Sequence, residues 1–177
     1  MMMLIKDLLR MAPELRSYGA LPEMDPLTEE DSLQEAQLLG VQFDLLRRTA
    51  GLLFELRMAL QLRETNTGVL VACGVTEFSW SADVPAAPLT AWAVGGSIPR
   101  NQNRLFDLTL GMWPGATLHL IAESAAFFTG DVPGLAEAPP DYVEDDDETV
   151  QAGIANWDSQ FVPRRAVFLD PAPPQRG

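Results

Sequence analysis

Five acids in a row, Glu144-Asp145-Asp146-Asp147-Glu148, form the densest chemistry-bearing cluster in the sequence. Packed carboxylates suit a divalent cation, a basic partner or the first turn of a helix, and spacing separates these uses. An EF-hand calcium loop needs glycine at its sixth position and glutamate at its twelfth. The stretch "DYVEDDDETVQA" has Asp146 and Ala152 there, so no metal site is assigned. As a helix start, Asp145 can cap and Glu148, three residues on, can complete a capping box, with the first-turn acids favouring the positive end of the helix dipole. One or two acids suffice for that. The mutually repelling surplus points to a partner, and the candidate partner-binding residues are Asp131, Asp141, Tyr142, Glu144, Asp145, Asp146, Asp147 and Glu148.

Other chemistries find little support. Neither glycine-rich phosphate motif occurs, nor the G-x-S-x-G nucleophile elbow, so no cofactor and no catalytic residue is assigned. The single histidine, His119, lies between Leu118 and Leu120, so in a strand its ring points away from the face those leucines share. Cys73, in "VACGV", reads as a small packed side chain without an electropositive neighbour to activate it. A Cys73–His119 dyad would require the two to meet across neighbouring strands. The tryptophans Trp80, Trp92, Trp113 and Trp157 read as core and sheet-rim packing; several lining one cavity would instead favour a ligand carrier.

The formal charge of −13 is uneven. Between Arg104 and Arg164 there is no lysine or arginine, while eleven acids fall in that interval. Such a surface repels nucleic acid and anionic membranes and attracts a basic protein. One cysteine allows no intrachain disulfide and fits a reducing compartment. The longest apolar run, "GVLVACGV", is far short of the roughly 20 residues that cross a bilayer. A soluble, cytoplasmic protein is expected, with its oligomeric state left open.

The elements that must position these residues follow from periodicity. Leu4, Ile5, Leu8 and Leu9 predict a short amphipathic helix before Pro13, and Thr28 to Gly40 predicts a second helix. Alternation of Val41, Phe43 and Leu45, then of Phe54 through Leu62, predicts a hairpin turning at Ala50-Gly51. Further strands are expected at "VLVACGVTEFSW", "LTAWAVGGS", "LFDLTLGMW" and "ATLHLIAESAAFF", the last two joined at Pro114-Gly115. Val150, Ile154, Trp157 and Phe161 place one apolar stripe on a C-terminal helix.

The expected fold is α+β, an antiparallel meander of about six strands forming a curved sheet or half-barrel, covered by N-terminal helices and one C-terminal helix. A single domain spans 1–170, with a helical N-terminal segment over 1–40, the meander 41–128, and the acidic loop and C-terminal helix 129–162; a Pro-rich tail occupies 171–177. The layout "LLGVQFDLLRRTAGLLFELRMALQL…GVLVACGVTEFSW", followed by an acidic segment and "NWDSQF", resembles that of small bacterial β-rich proteins, some treated as immunity proteins of toxin systems. The resemblance covers about residues 38–161 and implies a single α+β domain that acts by binding, without a cofactor. The expected function is a non-catalytic interaction module of immunity or inhibitor type that binds a basic partner, such as a toxin, through its acidic surface. The alternatives are a small-ligand carrier with an apolar cavity in the sheet, or an unrecognised enzyme.

Overall fold

Phe106, Leu108, Leu110 and Met112 alternate along one strand and all four are buried on one side of it, which sets the inside of the fold. The computed structural model describes residues 1–15, 20–83 and 88–170. The Pro-rich tail 171–177 and stretches of two expected loops, 16–19 and 84–87, lie outside the described residues.

The described residues form eight strands: β1 (Met3–Leu4), β2 (Gln37–Asp44), β3 (Thr49–Glu55), β4 (Thr67–Ala82), β5 (Trp92–Gln102), β6 (Leu105–Trp113), β7 (Ala116–Asp131) and β8 (Gln160–Leu169). Two short helices, α1 (Leu8–Met11) and α2 (Asp147–Ala152), complete the regular structure together with two 3₁₀ turns beside α1. All paired strands are antiparallel, and they run β2-β3-β4-β7-β6-β5 and back to β2. The expected open meander is thus two three-stranded meanders, β2-β3-β4 and β5-β6-β7, closed on each other as a six-stranded barrel. Closure leaves no free edge between them.

β7 makes the arrangement work because it is long. Its first half, Ala116–Ala122, pairs with β6, and its second half, Ala125–Asp131, pairs with β8. Its other edge pairs with β4 throughout. The barrel interior is filled by side chains, among them Phe54, Leu70, Phe106, Leu110, Leu120 and Phe127. A second apolar layer lies outside, where Ile5, Leu8 and Ala12 cover Leu53, Val71, Phe128 and Phe161. β3 is therefore buried along its whole length.

Several expected elements differ. Residues 28–36 form turns rather than a helix, and with the start of β2 they run along β5: the N–H groups of Asp31 and Glu35 donate to Ser97 and Val94 at 2.8 Å, and Val94 donates to Ala36. This backbone pairing closes the barrel, and it outweighs local helix propensity. The first hairpin turns at 45–48, leaving Leu45 and Leu46 81% and 97% exposed at its tip. Ala50 and Gly51 lie inside β3. Gly51 is a close-packing position, since a Cβ there would sit 2.8 Å from the Trp157 ring. The C-terminal helix stops at Gly153, and Gln160 to Leu169, whose first residues were expected as helix, joins the exposed edge of β7 as β8. Among the described residues no helix is long and apolar enough to cross a membrane.

Candidate functional site

The acidic segment leaves the barrel where β7 ends. Asp131 closes that strand, accepting from the Asn66 N–H at 3.1 Å and from Arg164 Nε at 3.4 Å. From there to α2 the chain carries no regular structure, yet it is fastened at both sides of the acidic run by one side chain, Arg57.

Arg57 and Glu55 form a buried ion pair at the end of β3, with side chains 5% and 1% exposed. Nε donates to Glu55 Oε1 at 2.7 Å and Nη2 to Oε2 at 2.6 Å, a two-pronged fork. Nη1 donates to the carbonyls of Ala136 and Ala138 at 3.0 and 3.2 Å, and Nη2 to that of Gly153 at 2.7 Å. All five guanidinium donors are satisfied. One buried cation thus ties residues 136, 138 and 153 to the barrel. Sequence reasoning missed this clamp. Its signal was present: two opposite charges at i and i+2 inside the apolar run "LLFELRM" share a strand face, and if that face is buried they must be paired.

The acids of the run divide into two groups. Asp141 Oδ1 accepts from the Val143 and Glu144 N–H groups at 2.8 and 3.1 Å, and these bonds hold its carboxyl below the usual range. Asp145 Oδ2 accepts from the Asp141 N–H at 2.8 Å. The N-cap of α2 is Asp146, one residue beyond the expected Asp145; its Oδ1 accepts from the Thr149 N–H at 2.7 Å. Hydrogen bonding to Thr149 holds the Asp146 carboxyl low as well. These three shape the loop. Glu144, Asp147 and Glu148 are exposed, and among the described residues their side chains make one long bond, accepted by Asp147 from Gln151 at 3.5 Å. Val143 stands among them, 87% exposed.

Tyr142 turns the other way. Its hydroxyl is buried without a hydrogen-bond partner among the described residues, and burial, then the charge of Glu55, pushes its pKa up against the opposing influence of Arg57. It anchors the loop from within.

Pairing across the base-free interval separates this segment from the rest. Asp107 meets His119 at 2.8 Å, Glu123 meets Arg48 at 3.6 Å, Asp131 meets Arg164 at 3.4 Å and Asp158 meets Lys6 at 2.7 Å. Among the described residues, Glu137, Asp141 and Glu144 through Glu148 have no ion pair. Within that interval, the acids without an ion pair all lie on one loop.

The other sequence candidates lie apart. His119 faces out of the barrel as its leucine neighbours require, with Nε2 on Asp107 and Nδ1 3.7 Å from Glu77. Cys73 pairs in register with Ser124, five residues along β7 from His119, or about 16 Å at the usual strand rise. It packs with the outer apolar layer under the N-terminal segment. The two do not form a dyad. The tryptophans are dispersed too: Trp80 and Trp92 meet edge to face, Trp157 packs on Gly51, and Trp113 stands in solvent. Among the described residues no group of three or more histidine, cysteine or acidic side chains converges as a metal site would require.

Comparison with known protein families, with curated proteins and with solved structures finds no match.

Proposed function

We propose that this chain is a non-catalytic protein-interaction module, of immunity or inhibitor type, that binds a basic protein through the acidic loop between Glu137 and Glu148. One observation carries the reading: the unpaired acids of the interval are gathered on a single loop that a buried cation holds in place. A fixed loop loses little freedom on binding, and a concentrated negative field raises the encounter rate with a basic partner. Exposed Val143 supplies an apolar point inside that field.

The small-ligand alternative loses its interior chamber, because side chains fill the barrel. A carrier of this fold would have to use an outer groove.

Affinity capture from source-cell lysate at low and high salt tests the reading. The captured protein is then measured against a triple variant, Glu144→Gln with Asp147→Asn and Glu148→Gln, which leaves Asp141, Asp145 and Asp146 to shape the loop. A basic protein released by salt and bound at least about tenfold more slowly by the variant is expected. Unchanged binding by the variant would remove the acidic loop from the interface.

A further inference from the structure

A groove of about 500 Å³ opens on the outer wall of the barrel, at the end of β7 opposite the acidic loop. Its floor is one outward-facing row across four strands, because Gly96 is in register with Gly111, Gly111 with Thr117, and Thr117 with Ser81. Leu110 and Met112, on either side of Gly111, point into the core. The row offers two bare stretches of backbone and then two hydroxyls. Trp113 forms the rim and is 67% exposed. Its indole Nε1 lies 3.2 Å from where a Cβ on Gly95 would be, so the ring rests on the backbone of β5.

Side-chain packing does not require the two floor glycines, although Gly96 adjoins the bulge of β5 between Val94 and Gly96. Gly111 has no positive φ, and a Cβ there would meet nothing within 4 Å. A Cβ on Gly96 would make only an ordinary contact, 3.5 Å from Asp31 Oδ1. Glycine inside a strand weakens it and marks a bulge, a bend or the close approach of a ligand or another backbone, and at Gly111, where there is no register shift and no near contact, a ligand's approach is the reading that fits an open floor. Trp113 adds an independent element, a large apolar ring left in water beside that floor.

We propose that this groove binds a carbohydrate, with a pyranose ring laid on the Gly96–Gly111 floor and its C–H face against Trp113. Sugars combine an apolar ring face with a hydroxyl edge, and the groove offers the complement: an indole on one side, the Ser81 and Thr117 hydroxyls and the Asp83 carboxylate on the other. Among the described lining residues there is no lysine or arginine to hold an anionic ligand. The site is separate from the acidic loop, and neither reading depends on the other.

The test is titration of the ¹⁵N-labelled full chain with maltotriose, cellotriose and triacetylchitotriose at millimolar concentration, following the Trp113 indole N–H and the Ser81 and Thr117 amides. Saturable shifts at these positions with one of the sugars are expected. Gly111→Val separates site from fold, since valine favours strands and finds open space: its melting temperature should equal or exceed that of the parent while sugar affinity falls at least about tenfold. Trp113→Ala should lose affinity to the same degree. Absence of saturable shifts with all of these sugars, or full affinity in Gly111→Val, would overturn the proposal.

Discussion

Arg57 and Glu55, two residues apart at the end of β3, form a buried fork whose remaining donors hold the carbonyls of Ala136, Ala138 and Gly153. The pair couples the barrel to the loop. Because a charge left alone in a buried site is far more costly than the pair is stabilising, removing one partner should cost more than removing both.

Arg57→Met strands the Glu55 carboxylate and should cost about 3–5 kcal/mol in urea unfolding. Adding Glu55→Gln should recover only a fraction of that, since the three loop carbonyls still lack a donor. In both variants amide exchange at Val150 and Gly153 should rise well above its parental rate. A single variant destabilised by less than about 1 kcal/mol would mean that water replaces the guanidinium, and the clamp would not be structural.

Gly51 and Trp157 give a second coupling. A Cβ at Gly51 would lie 2.8 Å from the Trp157 ring and 3.0 Å from Leu9 Cδ1. Gly51→Ala should therefore destabilise by about 1–3 kcal/mol through overpacking. Trp157→Leu in the same chain should relieve some of the loss, so a double-mutant cycle should show coupling of opposite sign. Additive losses would place the strain elsewhere.

These two sites also show what the sequence could and could not reveal. β6, the first half of β7 and the turn at Pro114-Gly115 were legible because there one face of each strand is buried and the alternation is unbroken, whereas from Ala125 on β7 is buried on both faces. Gly51 misled because a glycine packed beneath an indole is indistinguishable, in one sequence, from a glycine in a turn. The helix expected after Thr28 has good local signals, but the backbone of 31–36 finds partners on β5, some sixty residues away in the chain, and no local signal reports that. β8 was hidden for the same reason. The acidic run was visible at once, whereas its division into turn-forming Asp141, Asp145 and Asp146 and outward Glu144, Asp147 and Glu148 depends on single backbone N–H groups.

That division has a pH signature. The carboxyls of Asp141 and Asp146 titrate below their ordinary 3.8 in the folded chain, the first through the N–H groups of Val143 and Glu144, the second through Thr149. A depressed acid stabilises the folded loop above its unfolded pKa, and that contribution is lost as pH falls through the folded value. Val143 and Thr149 amide shifts should therefore move with midpoints below 3.8. Asp146→Ala should raise exchange throughout α2 at neutral pH, whereas Asp145→Ala should leave α2 protected, because only Asp146 caps it. Equal loss of protection in both would return the cap to Asp145.

Tyr142 titrates in the opposite sense. Burial, and after it the negative charge of Glu55, holds its phenol above the ordinary 10.0, with Arg57 opposing. The folded chain thus keeps this proton more tightly than the unfolded one. The contribution to stability is complete below 10.0 and is lost as pH rises through the folded value. The chain has two tyrosines, so Tyr18→Phe leaves Tyr142 as the only phenol to follow by ultraviolet absorbance. Its ionisation should have its midpoint above pH 10.0 and should coincide with release of the acidic loop, seen as rising amide exchange at Val150. A phenol that titrates at its ordinary value in the folded chain would place Tyr142 in solvent, where it would be a contact for a partner instead of an anchor.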